Sequence, residues 1–369
     1  MRAKTSLLIP LLLVLLAGVL LFRFHYSPRV RDRKLEAAVE LVRAGDDRAA
    51  IPLLRELAGR PPFPPEREET ALLLARALAG SGDPGPAAEI WAGLAVSGDP
   101  VIREEALFNL ALAAAREGDP SGIESFLAGY PESPRRGEAL LARGRLRAAA
   151  GDTAGAGDDY RRAIDSPGRE EVRSAARKEL GEINFSRLLS REDNPLTVTY
   201  QVRAGDSLAA IARRHRTTSD LLRRINRLNG DVIHPGQSLK LPAESFSVRV
   251  SKSKNTLTLL YGGEFFKEYR VGTGRENCTP EGEFTIVTKL VDPPWFYDGE
   301  VIPPFDDRNI LGTRWMGFDD PYAAYGIHGT TEPETVGTQS SDGCVRMRNE
   351  EVEELFTFLP RGSRVVIED

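Results

Sequence analysis

Four of the Gly-Asp pairs in the first half of the chain recur at nearly regular intervals. They begin at Gly45, Gly82, Gly118 and Gly151, so the intervals are 37, 36 and 33 residues. Between them, residues 33–190 are rich in Ala, Leu, Arg and Glu, with the apolar spacing of helices. Glycine adopts the left-handed conformation that ends a helix, and aspartate starts the next one. The pattern predicts an array of paired helices across this region.

The interval resembles that of tetratricopeptide repeats, although the aromatic and proline positions of that repeat are only partly present. Such arrays hold other proteins or act as spacers. The resemblance therefore implies protein partners, and no chemistry, for residues 33–190.

An apolar run covers residues 7–22 and follows two basic residues, which is typical of a secretory signal. The run is long, and neither an A-x-A cleavage site nor a lipobox cysteine follows it. We therefore interpret residues 1–23 as a retained signal-anchor that enters the membrane through residues 6–22, with a cleaved signal as the alternative. The basic cluster in residues 23–34 conflicts with export, because such clusters hold their side in the cytoplasm.

The overall composition excludes two classes of protein. The chain has 49 basic and 54 acidic side chains and a net charge of −5, so it is not a globally basic nucleic-acid binder. Two cysteines are too few for a disulfide framework, and no CxxC pair indicates a zinc ribbon. Such scarcity of cysteine fits an exported protein.

Residues 199–242 contain Y-x-V, G-D-S-L-x-x-I-A, D-L-L, I-N and G-Q-x-L-x-x-P in this order. The segment predicts a strand, two helices and a closing strand. It closely resembles the LysM domain, which implies a βααβ module over residues 197–243 that binds N-acetylglucosamine-containing glycans. Because His215 and His234 have no carboxylate or thiol at metal spacing, we expect them to have packing or surface roles.

The same segment has eight Lys or Arg against three Asp, so it is locally basic. This excess of positive charge has two interpretations. It could favour an anionic wall polymer, but a solvated helix face is the simpler one, and we prefer it.

From Phe246 onward, short strand-like runs alternate with Gly, Asn and Pro, and a helix is predicted for residues 350–358 before a final strand. We expect a mainly β domain over residues 246–369. The whole chain is thus predicted to be a multidomain α+β protein with an anchor, a helical array, a LysM module and this domain.

Cys344 is the candidate nucleophile of the last domain. A thiol is mostly protonated at neutral pH and needs a base, and His328, 16 residues earlier, is the only histidine after Phe246. Gly343 allows a tight turn that can aim backbone N–H groups at one point, as an oxyanion hole requires. A lone cysteine is nevertheless more often a packed apolar residue.

Two other sites fit the residues less well. No G-x-S-x-G elbow is present, which argues against a serine hydrolase. A zinc site built from Cys278, Cys344 and His328 lacks a clear fourth ligand.

The stretch from His328 to Met347 reads H-G-T-x-x-P-x-x-x-G-x-x-x-S-x-G-C-V-R-M, and two landmarks precede it. They are V-G-T-G-x-x-x-C-T-P-E-G-E-F (271–284) and N-I-L-G-T-R-W-M-G (309–317). In this order the three motifs resemble the L,D-transpeptidase catalytic domain.

The resemblance implies a role for each matching residue. Cys344 is the nucleophile, His328 the base, and the Gly329 carbonyl orients the imidazole. The N–H groups of Gly343 and Cys344, helped by Ser341, stabilise the oxyanion. Arg346 organises the loop or meets a substrate carboxylate, and Thr330 is a second substrate-binding residue. No metal or organic cofactor is implied.

Two residues near the nucleophile leave alternatives open. The family commonly has histidine where this chain has Asp342, and a carboxylate close to the sulfur would raise the thiol pKa unless it points outward. Cys278 is interpreted as a packed free thiol, with a reversible oxidative switch as the alternative. A permanent disulfide to Cys344 would abolish the nucleophile.

The implied reaction is peptidoglycan cross-linking in which Cys344 forms a thioester with a stem tetrapeptide and an amine of a second stem resolves it as a 3→3 link. A protein lysine or water are alternative acceptors, and the loop in residues 292–307 is expected to select among them. A wall-binding scaffold with an idle catalytic domain is the alternative function. Because the substrate is the murein, we expect a single-pass inner-membrane protein with most of its chain in the periplasm, against the charge rule.

Overall fold

Helices joined by short turns make up the first half of the chain. The structure, a computed structural model, describes residues 28–369 and divides after Val172 into two units. The helices of the first unit are α1 (Pro28–Arg43), α2 (Asp47–Ala58), α3 (Pro65–Gly80), α4 (Pro84–Leu94), α5 (Pro100–Arg116), α6 (Ser121–Gly129), α7 (Arg136–Ala149) and α8 (Thr153–Asp165). Each helix packs on the next along the chain. The predicted helical region is therefore present, whereas its identity as tetratricopeptide repeats stays a prediction.

The Gly-Asp breaks have the predicted backbone conformation. The glycines at 45, 82, 118 and 151 have φ between 78° and 92°, the left-handed region that ends a helix at little cost only for glycine. Asp46 Oδ1 accepts a hydrogen bond from Ala49 N at 3.1 Å, and Asp152 Oδ1 accepts one from Gly155 N at 2.8 Å. Asp83 begins α4 without such a bond, so the caps vary along the array.

A charged cluster is buried between the last two helices of the first unit. The Asp159 carboxylate is fully buried on α8 and accepts two hydrogen bonds from the Arg143 guanidinium of α7, at 2.6 and 2.8 Å. Arg147 Nη1 lies 3.1 Å from the same carboxylate. Opposite charges of this kind fix the pairing of two helices, because a mismatched packing would leave a buried charge alone.

The second unit contains the predicted βααβ module. Its elements are β1 (Thr197–Gln201), α10 (Leu208–Arg214), α11 (Ser219–Asn226) and β2 (Ser238–Pro242), and β1 pairs antiparallel with β2. The ring of His215 packs edge-on against Tyr200 and the side chain of His234 is exposed, in agreement with the packing and surface roles expected for them.

The remaining strands of the second unit build one large sheet with small additions. They are β3 (Phe246–Ser251), β4 (Thr256–Tyr261), β5 (Glu264–Arg270), β6 (Thr273–Gly274), β7 (Gly282–Val291), β8 (Trp295–Tyr297), β9 (Glu300–Ile302), β10 (Arg314–Phe318), β11 (Gly326–His328), β12 (Gln339–Ser341), β13 (Val345–Arg346) and β14 (Arg364–Glu368). Within the described residues the large sheet has the order β13-β11-β10-β7-β14-β3-β4-β5. Helix α12 (Asn349–Phe358) covers its apolar face through Val352 and Leu355.

Helix α9 (Glu170–Leu188) differs from its prediction. The boundary expected at residue 190 assigns it to the helical array, but from Arg173 onward it lies in the second unit. Leu188 is buried in the core of the large sheet, and Asn184 Nδ2 donates to Phe266 O of β5 at 2.9 Å. An amphipathic pattern shows that a helix has an apolar face and does not show which core that face covers.

The membrane prediction concerns residues outside the described part of the chain. Within residues 28–369, every helix is too short or too polar to span a bilayer. The apolar run in residues 7–22, on which the prediction of an anchor depends, lies before them.

We predict that Asp159→Ala lowers the free energy of unfolding of the helical array by about 3 kcal/mol, because it leaves two arginines without their buried partner. Urea denaturation followed by helical circular dichroism measures the loss. The neighbouring Asp158→Ala is the matched control, since Asp158 is 71% exposed and its pair with Arg161 should contribute less than about 1 kcal/mol. Equal losses in the two variants would contradict the buried-pair interpretation.

Candidate active site

One row of cross-strand neighbours forms one wall of the site. Leu290 of β7 pairs with Trp315 of β10, Trp315 pairs with His328 of β11, and His328 pairs with Arg346 of β13. Directly paired residues point to the same face of a sheet, so these four side chains line one pocket. The pocket has a volume of about 630 Å³ and also contains Cys344.

The position of Cys344 follows from strand alternation. Val345 pairs with Ile327, and both side chains are buried in the core on the opposite face of the sheet. The residue before Val345 consequently presents its side chain on the face of His328 and Arg346. A parallel pair, β11 with β13, thus brings the nucleophile and the base of the predicted site to one wall.

A tight turn precedes the thiol. Ser341 Oγ donates a hydrogen bond to Cys344 O at 2.7 Å and accepts one from Gly343 N at 3.1 Å. Gly343 has φ of 119°, and a Cβ there would come within 2.5 Å of the Tyr325 ring. The turn therefore requires glycine both for its backbone conformation and for the close approach of Tyr325.

The Cys344 thiol is partly buried, with Sγ 3.9 Å from Ala324 O. Burial raises the pKa of Cys344 to about 11, although the nearby Arg346 charge favours the thiolate. Within residues 28–369 no hydrogen bond joins the sulfur to His328. The Cys344 side chain is accordingly a neutral thiol at neutral pH.

His328 is buried, and its ring stacks on Trp315 with 5.7 Å between centroids. Nδ1 lies 2.6 Å from Gly329 O, the arrangement that the family resemblance implies. Because a carbonyl only accepts, Nδ1 carries the hydrogen and Nε2 keeps its lone pair. Burial lowers the pKa of His328 to about 4, although backbone contacts with Gly329 and Leu311 favour the charged form. The imidazole is therefore a neutral base at neutral pH.

The predicted oxyanion donors are not equally available. The Gly343 N–H and the Ser341 hydroxyl hydrogen are both engaged in the turn. The Cys344 N–H, the other predicted donor, has no acceptor among residues 28–369. Ser341 consequently acts in this structure by holding the turn, and the Cys344 N–H is the donor left for an oxyanion.

The two predicted substrate residues have different surroundings. Arg346 lines the pocket; its Nη1 lies 3.3 Å from Glu332 Oε2, and its buried Nε has no partner among the described residues. Thr330 is buried away from the pocket lining. Its N donates to Asn349 Oδ1 at 3.2 Å, and its Oγ1 accepts from Glu332 N at 3.0 Å. These hydrogen bonds hold the loop, and the substrate-binding role of Thr330 stays a prediction.

Asp342 points outward, which decides between the two orientations considered for it. Its side chain is 76% exposed and forms an ion pair with Arg275, which is 61% exposed. The Asp342 charge contributes to the raised pKa of Cys344, but less than burial does. Solvent and Arg275 together reduce its influence on the sulfur.

Cys278 is a free, exposed thiol, and its Sγ lies 4.0 Å from Ser341 O. It therefore sits beside the turn that carries Cys344, and its surface exposure differs from the packed position expected for it. Within residues 28–369, no group of three or more His, Cys, Asp and Glu side chains could hold a metal ion.

An aromatic flap covers one side of the pocket. The hairpin of β8 and β9 lies in the predicted selectivity loop, residues 292–307, and Asn309 Nδ2 fixes the base of the loop by donating to Pro293 O at 3.0 Å. Trp295 and Tyr297 stack with 4.5 Å between centroids and line the pocket. The sequence motifs do not include Trp295 and Tyr297, so they did not predict these aromatic residues at the site. Trp315 belongs to the motif N-I-L-G-T-R-W-M-G, which could have indicated its place there.

The neutral thiol predicts how Cys344 reacts with pH. Alkylation requires thiolate, so its rate should rise about tenfold per pH unit from pH 7 to pH 10, with the thiolate fraction. Iodoacetamide labelling of the Cys278→Ser protein measures Cys344 alone. A rate that levels off below pH 8 would instead indicate a thiolate–imidazolium pair.

We predict that Asp342→Asn lowers the pKa of Cys344 by less than about one unit, because an exposed and paired carboxylate acts weakly on the sulfur. Arg275→Gln should raise it by a similar amount, since it removes the compensating charge. The pH dependence of alkylation measures both shifts. If neither variant moves the pKa, the Asp342 charge does not influence the nucleophile.

Comparison with known proteins agrees with this geometry. Residues 245–367 match the YkuD family model, described as the L,D-transpeptidase catalytic domain, and residues 200–242 match the LysM domain model. YqjB of Bacillus subtilis, whose name makes it a candidate L,D-transpeptidase, is 40% identical over 133 residues, covering 35% of this chain and 74% of that protein.

A second relative matches a longer part of the chain. YkuD of Bacillus licheniformis, also named a candidate L,D-transpeptidase, is 35% identical over 176 residues, covering 46% of this chain and 97% of that protein. A solved L,D-transpeptidase of Mycobacterium tuberculosis is 16% identical with a TM-score of 0.30, and the match covers 37% of this chain and 63% of that one. The near-complete match of the Bacillus protein shows that this chain belongs to the L,D-transpeptidase family.

Proposed function

We propose that this chain is a peptidoglycan L,D-transpeptidase that works through a cysteine thioester. The observation that carries the proposal is the common wall of Cys344, His328 and Arg346 in one aromatic-lined pocket. The matches to the catalytic and LysM family models support it, since both modules would act on the same polymer.

The first step starts from the neutral pair. The thiol turns from Ala324 O toward His328, and Sγ attacks the carbonyl carbon of the third residue of a stem tetrapeptide while Nε2 takes the thiol proton. The Cys344 N–H donates to the oxyanion. The tetrahedral intermediate then collapses, the peptide bond to the terminal D-alanine breaks, and the imidazolium protonates the leaving amine.

The second step reverses the roles. An amine attacks the thioester carbonyl, His328 accepts its proton, and the Cys344 thiol leaves with a proton returned by the imidazolium. With a side-chain amine of a neighbouring stem, the product is a 3→3 cross-link. A protein lysine or water gives wall attachment or hydrolysis, and the flap that carries Trp295 and Tyr297 is the element we expect to select among acceptors.

Arg346 suits a substrate carboxylate. Its buried Nε is an unsatisfied donor among the described residues, and leaving such a donor unpaired costs roughly 1–3 kcal/mol. A carboxylate that reaches the guanidinium would displace Glu332, which is half exposed and only 3.3 Å away. The contact with Arg346 that binds the stem would then also align it for attack.

The proposal also gives a role to each of the other regions of the chain. The LysM module holds glycan, and residues 6–22 anchor the chain in the inner membrane so that the enzyme works in the periplasm. The helical array, proposed to consist of tetratricopeptide-like repeats, receives protein partners. The alternative function, a wall-binding scaffold with an idle catalytic domain, has less support because the thiol, the base and the turn are all in place.

We predict that a carbapenem adds covalently to the wild-type protein and to Cys278→Ser, but not to Cys344→Ala, because only Cys344 lies beside the base. Intact-protein mass spectrometry measures the adduct, and circular dichroism confirms folding. The same three proteins are then incubated with tetrapeptide-bearing muropeptides. A 3→3 product made by Cys344→Ala would exclude the thioester mechanism, and an unreactive wild type would favour the scaffold.

A further inference from the structure

A second cleft lies between the βααβ module and the catalytic sheet, both within the second unit. It has a volume of about 540 Å³. One wall is the α11 region, with Arg223, Arg224 and Arg227, and the other is the end of β7 and β10 with α12. Nothing in the proposed mechanism uses this cleft.

Strand alternation places the cleft directly behind the active-site wall. Val291 and Arg314 are a cross-strand pair that lines the cleft, whereas the next pair, Leu290 and Trp315, lines the catalytic pocket. Successive residues of a strand point to opposite faces. The two cavities are thus on opposite faces of the sheet where β7 ends and β10 begins, one strand residue apart.

The cleft is positively charged because two of its arginines have no acidic partner. Arg223 is paired with Asp220 and Asp231, and Arg314 lies 4.0 Å from Asp292 and 3.8 Å from Glu353. Arg224 and Arg227 are exposed and form no ion pair among residues 28–369. Their guanidinium groups are free to bind an anion.

The walls of the cleft are firmly joined. Leu221 and Ile225 of α11 are buried in the core of the catalytic sheet, and Thr218 Oγ1 donates a hydrogen bond to Thr357 O. Lys289 Nζ donates to Phe356 O at 2.7 Å and to Leu359 O, which holds the end of α12 against β7. Apolar burial and directed hydrogen bonds therefore fix the two walls of the cleft and the backbone positions from which the arginines extend, so the walls need not reorganise on binding.

We propose that this cleft binds a carboxylate of a peptidoglycan stem peptide on the glycan strand held by the LysM module. The inference rests on the proposed function, because that function makes peptidoglycan the polymer that the chain binds. Guanidinium groups bind carboxylates with two parallel hydrogen bonds, and the apolar surfaces of Val291 and Phe356 suit the short side chains of such a peptide. A stem held here would position its strand so that a neighbouring stem reaches the catalytic pocket past the end of β7 and the start of β10.

The test is sedimentation of the full chain with purified sacculi, with every protein carrying Cys344→Ala so that chemistry does not affect binding. Arg224→Gln with Arg227→Gln removes both free charges and keeps the side-chain length. Arg203→Gln with Arg213→Gln is the matched control, because both arginines are exposed on the same module outside the cleft. Intact sacculi, sacculi stripped of stems by an amidase, and sacculi freed of phosphodiester polymers are compared.

We expect the cleft variant to bind intact sacculi roughly 3- to 10-fold more weakly than the parent, as two exposed charge contacts would predict. The control should bind like the parent, and stripping the stems should weaken the parent to the level of the cleft variant. Equal losses in both double variants, or a parent that binds intact and stripped sacculi equally, would overturn the proposal. So would a difference that disappears once phosphodiester polymers are removed.

A second measurement separates this proposal from the proposed function. Binding of N-acetylglucosamine oligomers and carbapenem addition to proteins with Cys344 intact test the LysM module and the thiol, and the cleft variant should retain both. If these two succeed while the stem dependence is absent, the cleft proposal alone fails. If the parent binds neither oligomers nor sacculi, the glycan-binding part of the proposed function fails and this inference fails with it.

Discussion

The parallel pairing of β11 with β13 is the constraint on which the site depends. It places His328 opposite Arg346, and the alternation of side chains then carries Cys344 to the same face. Parallel neighbours cannot be joined by a tight turn, so the chain between them must form a long crossing loop. That loop contains Thr330 and Glu332, which are joined by a hydrogen bond, and it ends in the turn of Ser341 and Gly343.

Burial determines the charge state of the reacting pair. The pKa of Cys344 is raised to about 11 and that of His328 is lowered to about 4, so both groups are neutral in the resting site. In the proposed mechanism, a neutral pair would leave the thiol unreactive until a substrate carbonyl is in place, because the proton must move during attack. The Gly329 carbonyl contributes by fixing the tautomer and not by adding charge. Under the same proposal, reactivity would depend on alignment of the substrate by Arg346 and the aromatic flap.

The βααβ module is part of the catalytic unit and not an independent attachment. Two side chains of α11, Leu221 and Ile225, share the core of the large sheet, and the last helix before the module adds Leu188 to it. A binding module fixed in this way presents its ligand at a set distance from the thiol. The basic cleft arises at that junction, where the arginines of the α11 region face the end of β7 and the start of β10.

The sequence by itself predicted the elements and the candidate reacting residues. Periodic glycines, the LysM pattern and the three catalytic motifs are local, so they predicted the helices, the βααβ order, and Cys344 with His328. Tertiary structure decided what depends on residues distant in the chain. It assigned α9 to the core of the large sheet, paired the Thr330 N–H with Asn349, engaged the Gly343 N–H with Ser341 and turned Asp342 toward Arg275. The physical reason is that apolar burial and hydrogen-bond partners come from the packing of distant segments, whereas a local pattern specifies only which residues are able to provide them.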